Sequence, residues 1–78
     1  MYTLIGFRRL TGVSKNGNNY DFVLLYCTTK GGIGCVGNEC CILNSNYETF
    51  ADAGLSLGDS FNCCTRERNG RISVISFN

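Results

Sequence analysis

The sequence predicts a small all-β barrel of five strands, and three observations carry that prediction. The 78-residue chain contains no proline and ten glycines. Its β-branched and aromatic residues fall in short runs separated by Gly, Asn and Ser clusters, as in a domain of strands and turns. Asn69-Gly70 sits between two alternating runs, and a type I′ hairpin turn favours that pair because it needs positive φ at both central positions.

Taken in order, Tyr2 to Leu10 forms the first predicted strand and Tyr20 to Thr28 the second, joined by a long polar hairpin from Thr11 to Asn19. After the break at Gly31-Gly32, residues from about Cys35 to Leu43 read as a third strand, with a bulge or bend at Gly37-Asn38. Tyr47 and Phe50 have i, i+3 spacing behind an Asn46 cap, which fits a single helical turn or an irregular loop over 46–53. Ser60 to Arg68 is the fourth predicted strand and Arg71 to Phe77 the fifth. In the fifth, Ile72 and Val74 have one parity and Ile75 and Phe77 the other, so both faces read as partly apolar. Five strands, a hairpin at each end and a connector between the third and fourth match an OB-fold-like Greek-key barrel, a fold that binds oligonucleotides. An SH3-like barrel is the alternative.

At this length the chain has one modest core, so residues 1–78 are read as a single domain. The hydrophobic fraction of 44% is ordinary for a folded domain. No run of about 20 apolar residues suits a membrane span, and no charged start followed by an apolar stretch marks a secretory signal. The expected location is therefore cytoplasmic. Net charge is +1, without the basic excess of many nucleic-acid binders, so charge placement must serve instead. The basic residues do cluster: Arg8 and Arg9 in the first strand, Lys15 in the hairpin loop, and Arg66, Arg68 and Arg71 around the last turn.

Six cysteines stand at 27, 35, 40, 41, 63 and 64. The adjacent pairs Cys40-Cys41 and Cys63-Cys64 lie in predicted strands, where consecutive side chains face opposite ways. One thiol of each pair is expected to pack inward and the other to lie near the surface, reduced. With no histidine and no CxxC pair, the usual zinc-ligand spacing is missing, and no metal or other cofactor is expected. The missing histidine also removes the commonest general base and the Ser-His and Cys-His nucleophile pairs. No phosphate-binding loop or dinucleotide fingerprint occurs, so the expectation is a binding protein and not an enzyme.

The second strand is the informative one. Tyr20, Phe22, Leu24 and Tyr26 share one face, and Val23, Leu25 and Cys27 share the other with Asp21. Alternation alone leaves open which face is core. If the aliphatic face is inside, three rings stand outside, where each can stack on a base for ~1–3 kcal/mol. Arg8, Arg9 and Lys15 would then lie beside them to neutralise phosphates.

The stretch Gly12-Val13-Ser14-Lys15-Asn16-Gly17-Asn18-Asn19-Tyr20, with Cys27 seven residues after the tyrosine, resembles the DNA-binding wing and following strand of a known family. That family is the helix-destabilising single-stranded-DNA-binding proteins of filamentous phages; similar short proteins occur on bacterial mobile elements. The resemblance implies an OB-fold homodimer in the cytoplasm of a bacterial host, with Lys15 in the place of the phosphate-contacting wing residue and Tyr20 in that of the base-stacking aromatic. Phe22 takes the next outward place. Leu10 and Thr28 stand where the family has a basic and an aromatic residue, and Arg68-Asn69-Gly70-Arg71 replaces its aromatic hairpin tip. The expected function is sequence-tolerant binding of single-stranded nucleic acid, DNA first and RNA second, in replication of a phage or mobile element. Tyr20, Phe22 and Tyr26 are the stacking candidates; Arg8, Arg9, Lys15, Arg66, Arg68 and Arg71 are the phosphate candidates. The competing expectation is a protein-interaction module using a strand edge or the aromatic face.

Overall fold

Strand β1 (Tyr2–Val13) pairs antiparallel with β2 (Asn19–Lys30), and β2 with β3 (Asn38–Asn46), in the computed structural model, which describes residues 1–77. The helix α1 (Tyr47–Ala53) follows, then β4 (Ser60–Phe61), β5 (Cys63–Arg68) and β6 (Arg71–Phe77). The sheet order is β4-β1-β2-β3-β6-β5. β4 pairs with β1 at one end of that order and β5 with β6 at the other, yet Asn62 alone separates β4 from β5. The two ends of the sheet are thus one stretch of chain, and the sheet curls into a nearly closed all-β barrel of OB-like, Greek-key order. The single predicted strand 60–68 is therefore two, because the chain turns at Asn62 from one neighbour to the other.

Other boundaries also differ from expectation. β1 and β2 extend past Leu10 and back to Asn19, so the first hairpin projects as an arm with a short tip at 14–18. At that tip, the Gly17 amide donates to the Ser14 carbonyl at 2.9 Å with Gly17 at φ +81°. β3 starts at Asn38 and not at Cys35, because Gly34 (φ +83°) and Gly37 (φ +90°) adopt a left-handed backbone that a strand does not allow.

Strand β2 decides where the core lies. Val23, Leu25 and Cys27 are sealed, together with Leu4 of β1 and Leu43 of β3. Burying each such aliphatic side chain is worth ~1.5–3 kcal/mol. Leu4 pairs with Cys27 and Gly6 with Tyr26, leaving Ile5 as a bulge that lets both Leu4 and Phe7 point to the inner side. A second bulge corrects the two-faced reading of the last strand. Cys64 pairs with Ser76 but Thr65 with Val74, so Ile75 is extra. Phe77 then turns inward onto Phe61 (ring centroids 5.5 Å apart), while Ile75 remains 56% exposed.

The 46–53 segment resolves as a helix because its ends are capped. The Asn46 side chain accepts from the Thr49 amide at 2.8 Å, and Gly54 closes the helix in the left-handed region. Buried Phe50 meets Phe7 at 5.0 Å. Each adjacent cysteine pair divides as its strand requires: Cys41 and Cys63 are half-buried, Cys40 and Cys64 exposed. No helix among the described residues is long and apolar enough to cross a membrane.

Candidate nucleic-acid interface

Directly paired residues of neighbouring strands project on the same side, so register alone builds the outer face of the barrel. Its rows across β1, β2 and β3 are Gly6, Tyr26 and Ile42; Arg8, Leu24 and Asn44; and Leu10, Phe22 and Asn46. A last row on the projecting arm holds Gly12 and Tyr20. From Tyr26 to Tyr20 the face extends six residues, roughly 20 Å at strand rise.

The rings are held, not loosely displayed. A Cβ at Gly12 would come within 2.5 Å of the Tyr20 hydroxyl oxygen and 2.7 Å of Cζ, so the Tyr20 ring lies on the bare backbone of its cross-strand partner. Tyr20 also meets Phe22, with ring centroids 5.7 Å apart and planes tilted by 42°. Tyr20 stays 42% exposed; Phe22 and Tyr26 are half-buried. At the other end, a Cβ on Gly6 would meet Tyr26 at an ordinary 3.6 Å. Sequence reasoning assigned Gly12 to the wing but not to the ring, because its role depends on which residue faces it.

The basic candidates separate into groups. Arg8 is exposed on the ring face, beside Leu24. Lys15 is exposed at the arm tip. Arg66 pairs with Ser73, which itself neighbours Asn44, so the row Arg8, Leu24, Asn44, Ser73 and Arg66 crosses five strands of the outer face. Arg68 and Arg71 face each other across the Asn69-Gly70 turn on that same side. The turn has the predicted conformation, with φ +53° at Asn69 and +79° at Gly70.

Arg9 is not brought to the rings. It pairs with Val23 and so belongs to the inner side, at the rim of the barrel. Its guanidinium donates from Nε and Nη2 to the two carboxylate oxygens of Asp21, at 2.9 and 2.7 Å. It also lies over the Tyr47 ring of α1, 3.6 Å from the centroid. The hydrogen bond from Arg9 holds the Asp21 carboxyl below its ordinary range and raises the Arg9 guanidinium in turn. In the sequence Tyr47 is legible only as the i, i+3 partner of Phe50; its place beneath Arg9 appears only once the helix is set against the barrel rim.

Inside the opposite end, burial pushes the Cys27 thiol up to about 12, and the neighbouring Cys41 and Cys63 thiols act in the same direction. Cys41 and Cys63 are themselves raised, chiefly by burial. These groups are packing side chains held protonated, which is the reverse of what a nucleophilic thiol requires. Among the described residues, no group of three His, Cys, Asp or Glu side chains is placed to hold a metal ion. No protein-family model matches the chain, and neither a curated protein nor a solved structure does.

Proposed function

We propose that this chain binds single-stranded nucleic acid, DNA in the first instance, with little regard to sequence. The observation that carries the reading is the division of β2: the core is filled by Val23, Leu25 and Cys27, leaving Tyr20, Phe22 and Tyr26 together on the outer face beside Arg8. Bases of any identity stack on such rings, and the arginines and Lys15 neutralise the phosphates. Arg8, Lys15, Arg66, Arg68 and Arg71 are the phosphate contacts, with Arg9 outside the set. The protein acts by binding, without catalysis or a cofactor. The resemblance of residues 12–27 to the filamentous-phage proteins further suggests a homodimer in a bacterial cytoplasm, serving replication of a phage or mobile element. Anisotropy titration of a labelled oligothymidine at low and high salt tests the reading. Binding that weakens steeply with salt supports it; absence of binding at low salt sinks it.

A second reading is favoured by the strand edges. β4 covers β1 only at Tyr2 and Thr3, and β6 meets β3 only at Leu43 and Asn44. Asp59 and Gly58 take the Leu4 amide and carbonyl, and beyond them the rest of β1 from Ile5 onward, with the first half of β3, offers backbone groups to which a partner's strand can add. Lys15→Glu separates the two readings, since it weakens oligonucleotide binding markedly and leaves strand addition unchanged.

A further inference from the structure

The β5–β6 turn holds a charge arrangement that folding alone does not favour. Arg68 and Arg71 are directly opposite each other, and like charges in that position are destabilising in a sheet. The two-residue turn at Asn69-Gly70 sets the two backbone positions directly across from each other. Together with Asn69 and Ser73 they line a cleft of about 430 Å³ that has no acidic side chain in its wall. Among the described residues, the ion pair formed is that of Arg9 with Asp21, and neither turn arginine shares in it. An anion held by both guanidiniums would offset the repulsion between them.

Charge and shape narrow the choice of anion. Two guanidiniums supply two positive charges and planar forks suited to phosphate oxygens. A phosphate monoester carries about −1.5 to −2 at neutral pH with three acceptor oxygens, against a single charge on each internal diester. On the other flank of the same turn, Gly70 borders an apolar cleft of about 580 Å³ lined by Ile5, Tyr26, Ile42 and Ile72. A phosphate on the arginines therefore has space for its own base against Tyr26, at the end of the ring face far from the arm.

We infer that the Arg68-Arg71 turn is a binding site for a phosphate monoester, its source the phosphorylated end of a nucleic-acid strand. The strand-end source rests on the single-stranded nucleic-acid reading; the affinity of the turn for a phosphate group does not.

The test compares one short oligothymidine bearing a 5′-phosphate, a 3′-phosphate or neither, at fixed salt, by anisotropy competition. Inorganic phosphate is titrated in parallel while the Arg68 and Arg71 Nε–H resonances are followed by NMR. One phosphorylated end should bind about tenfold more tightly than the unphosphorylated strand, the scale of one charge-assisted hydrogen bond. Inorganic phosphate should shift both arginine resonances. Arg68→Gln with Arg71→Gln should abolish the tenfold difference; both side chains are exposed, and the wild-type comparison stands without the variant. Equal binding of all three strands with unmoved arginine resonances overturns the inference and leaves the nucleic-acid reading intact. If no strand binds while inorganic phosphate still shifts the arginines, the strand end is excluded as the source and the nucleic-acid reading fails with it.

Discussion

Along β2, two sets of side chains of similar apolar character meet opposite fates. Val23, Leu25 and Cys27 are sealed by both neighbouring strands, whereas Tyr20, one face away, keeps 42% of its surface exposed. The difference lies in what faces each set across β1. Inward partners bring side chains, as Leu4 does for Cys27 and Phe7 for Leu25; two of the outward partners are glycines, which bring none. A ring above a glycine is supported from below and open from above, the arrangement a stacking platform needs and a core does not.

The largest effect expected is on the inner set. Leu25→Ala should destabilise the fold by ~2–5 kcal/mol, read as a shift in the urea midpoint, because the cavity it leaves is fully enclosed. Tyr20→Ala should cost oligothymidine binding ~1–3 kcal/mol while moving the urea midpoint far less. A Tyr20→Ala variant that unfolds as readily as Leu25→Ala would erase the distinction between the faces.

Gly12→Ala sharpens the same comparison without removing any ring. The added methyl occupies the space of the Tyr20 ring, so the ring must swing off its platform. Shifted Tyr20 ring resonances and a binding loss smaller than that of Tyr20→Ala are expected. Gly6→Ala is the control: its Cβ meets Tyr26 at ordinary contact distance, and the Tyr26 resonances should barely move.

The parts of this architecture legible in the sequence are those whose signal is local. The period-two alternation of residues 20–27, the Asn69-Gly70 turn and the Asn46 cap each depend on a few adjacent residues, and each appears in the structure. Features defined by a partner strand were not legible. The bulges at Ile5 and Ile75 exist only relative to β2 and β5, and the break at Asn62 exists because the chain changes neighbours there. Arg9 stands beside Arg8 in the sequence, but its carboxylate lies twelve positions away and its aromatic partner on the helix. Register, which no local window encodes, sets these apart.

A smaller effect should appear in alkali, on the inner face alone. With the Cys27 thiol pushed up to about 12 from an ordinary value of 9.0, the native state holds a proton that the unfolded chain releases first. Stability from that thiol is complete below about pH 9 and declines as pH climbs toward 12. Cys41, Cys63 and Tyr2 are raised as well and act in the same direction. The urea midpoint should therefore fall as pH rises from about 9 toward 12, and Cys27→Val should flatten the fall. A midpoint that holds steady across that range would mean Cys27 is not enclosed.

The two adjacent arginines supply the finest test. Arg8, on the ring face, is expected to neutralise one phosphate, so Arg8→Gln should lower the slope of log affinity against log salt by about 0.7. Arg9→Gln should leave that slope unaltered, because its guanidinium is engaged by Asp21 and Tyr47 on the other side of the sheet. Its effect should be on Asp21, whose carboxyl would return toward its ordinary range in an NMR titration. In the wild type, the stability contributed by the depressed Asp21 is present above the ordinary carboxylate range and is lost as pH falls through its native value. Salt slopes lowered equally in the two variants would place both arginines on the strand's path, slopes unaltered in both would place neither there, and in either case the assignment of phosphate contacts to the outer face would have to be redrawn.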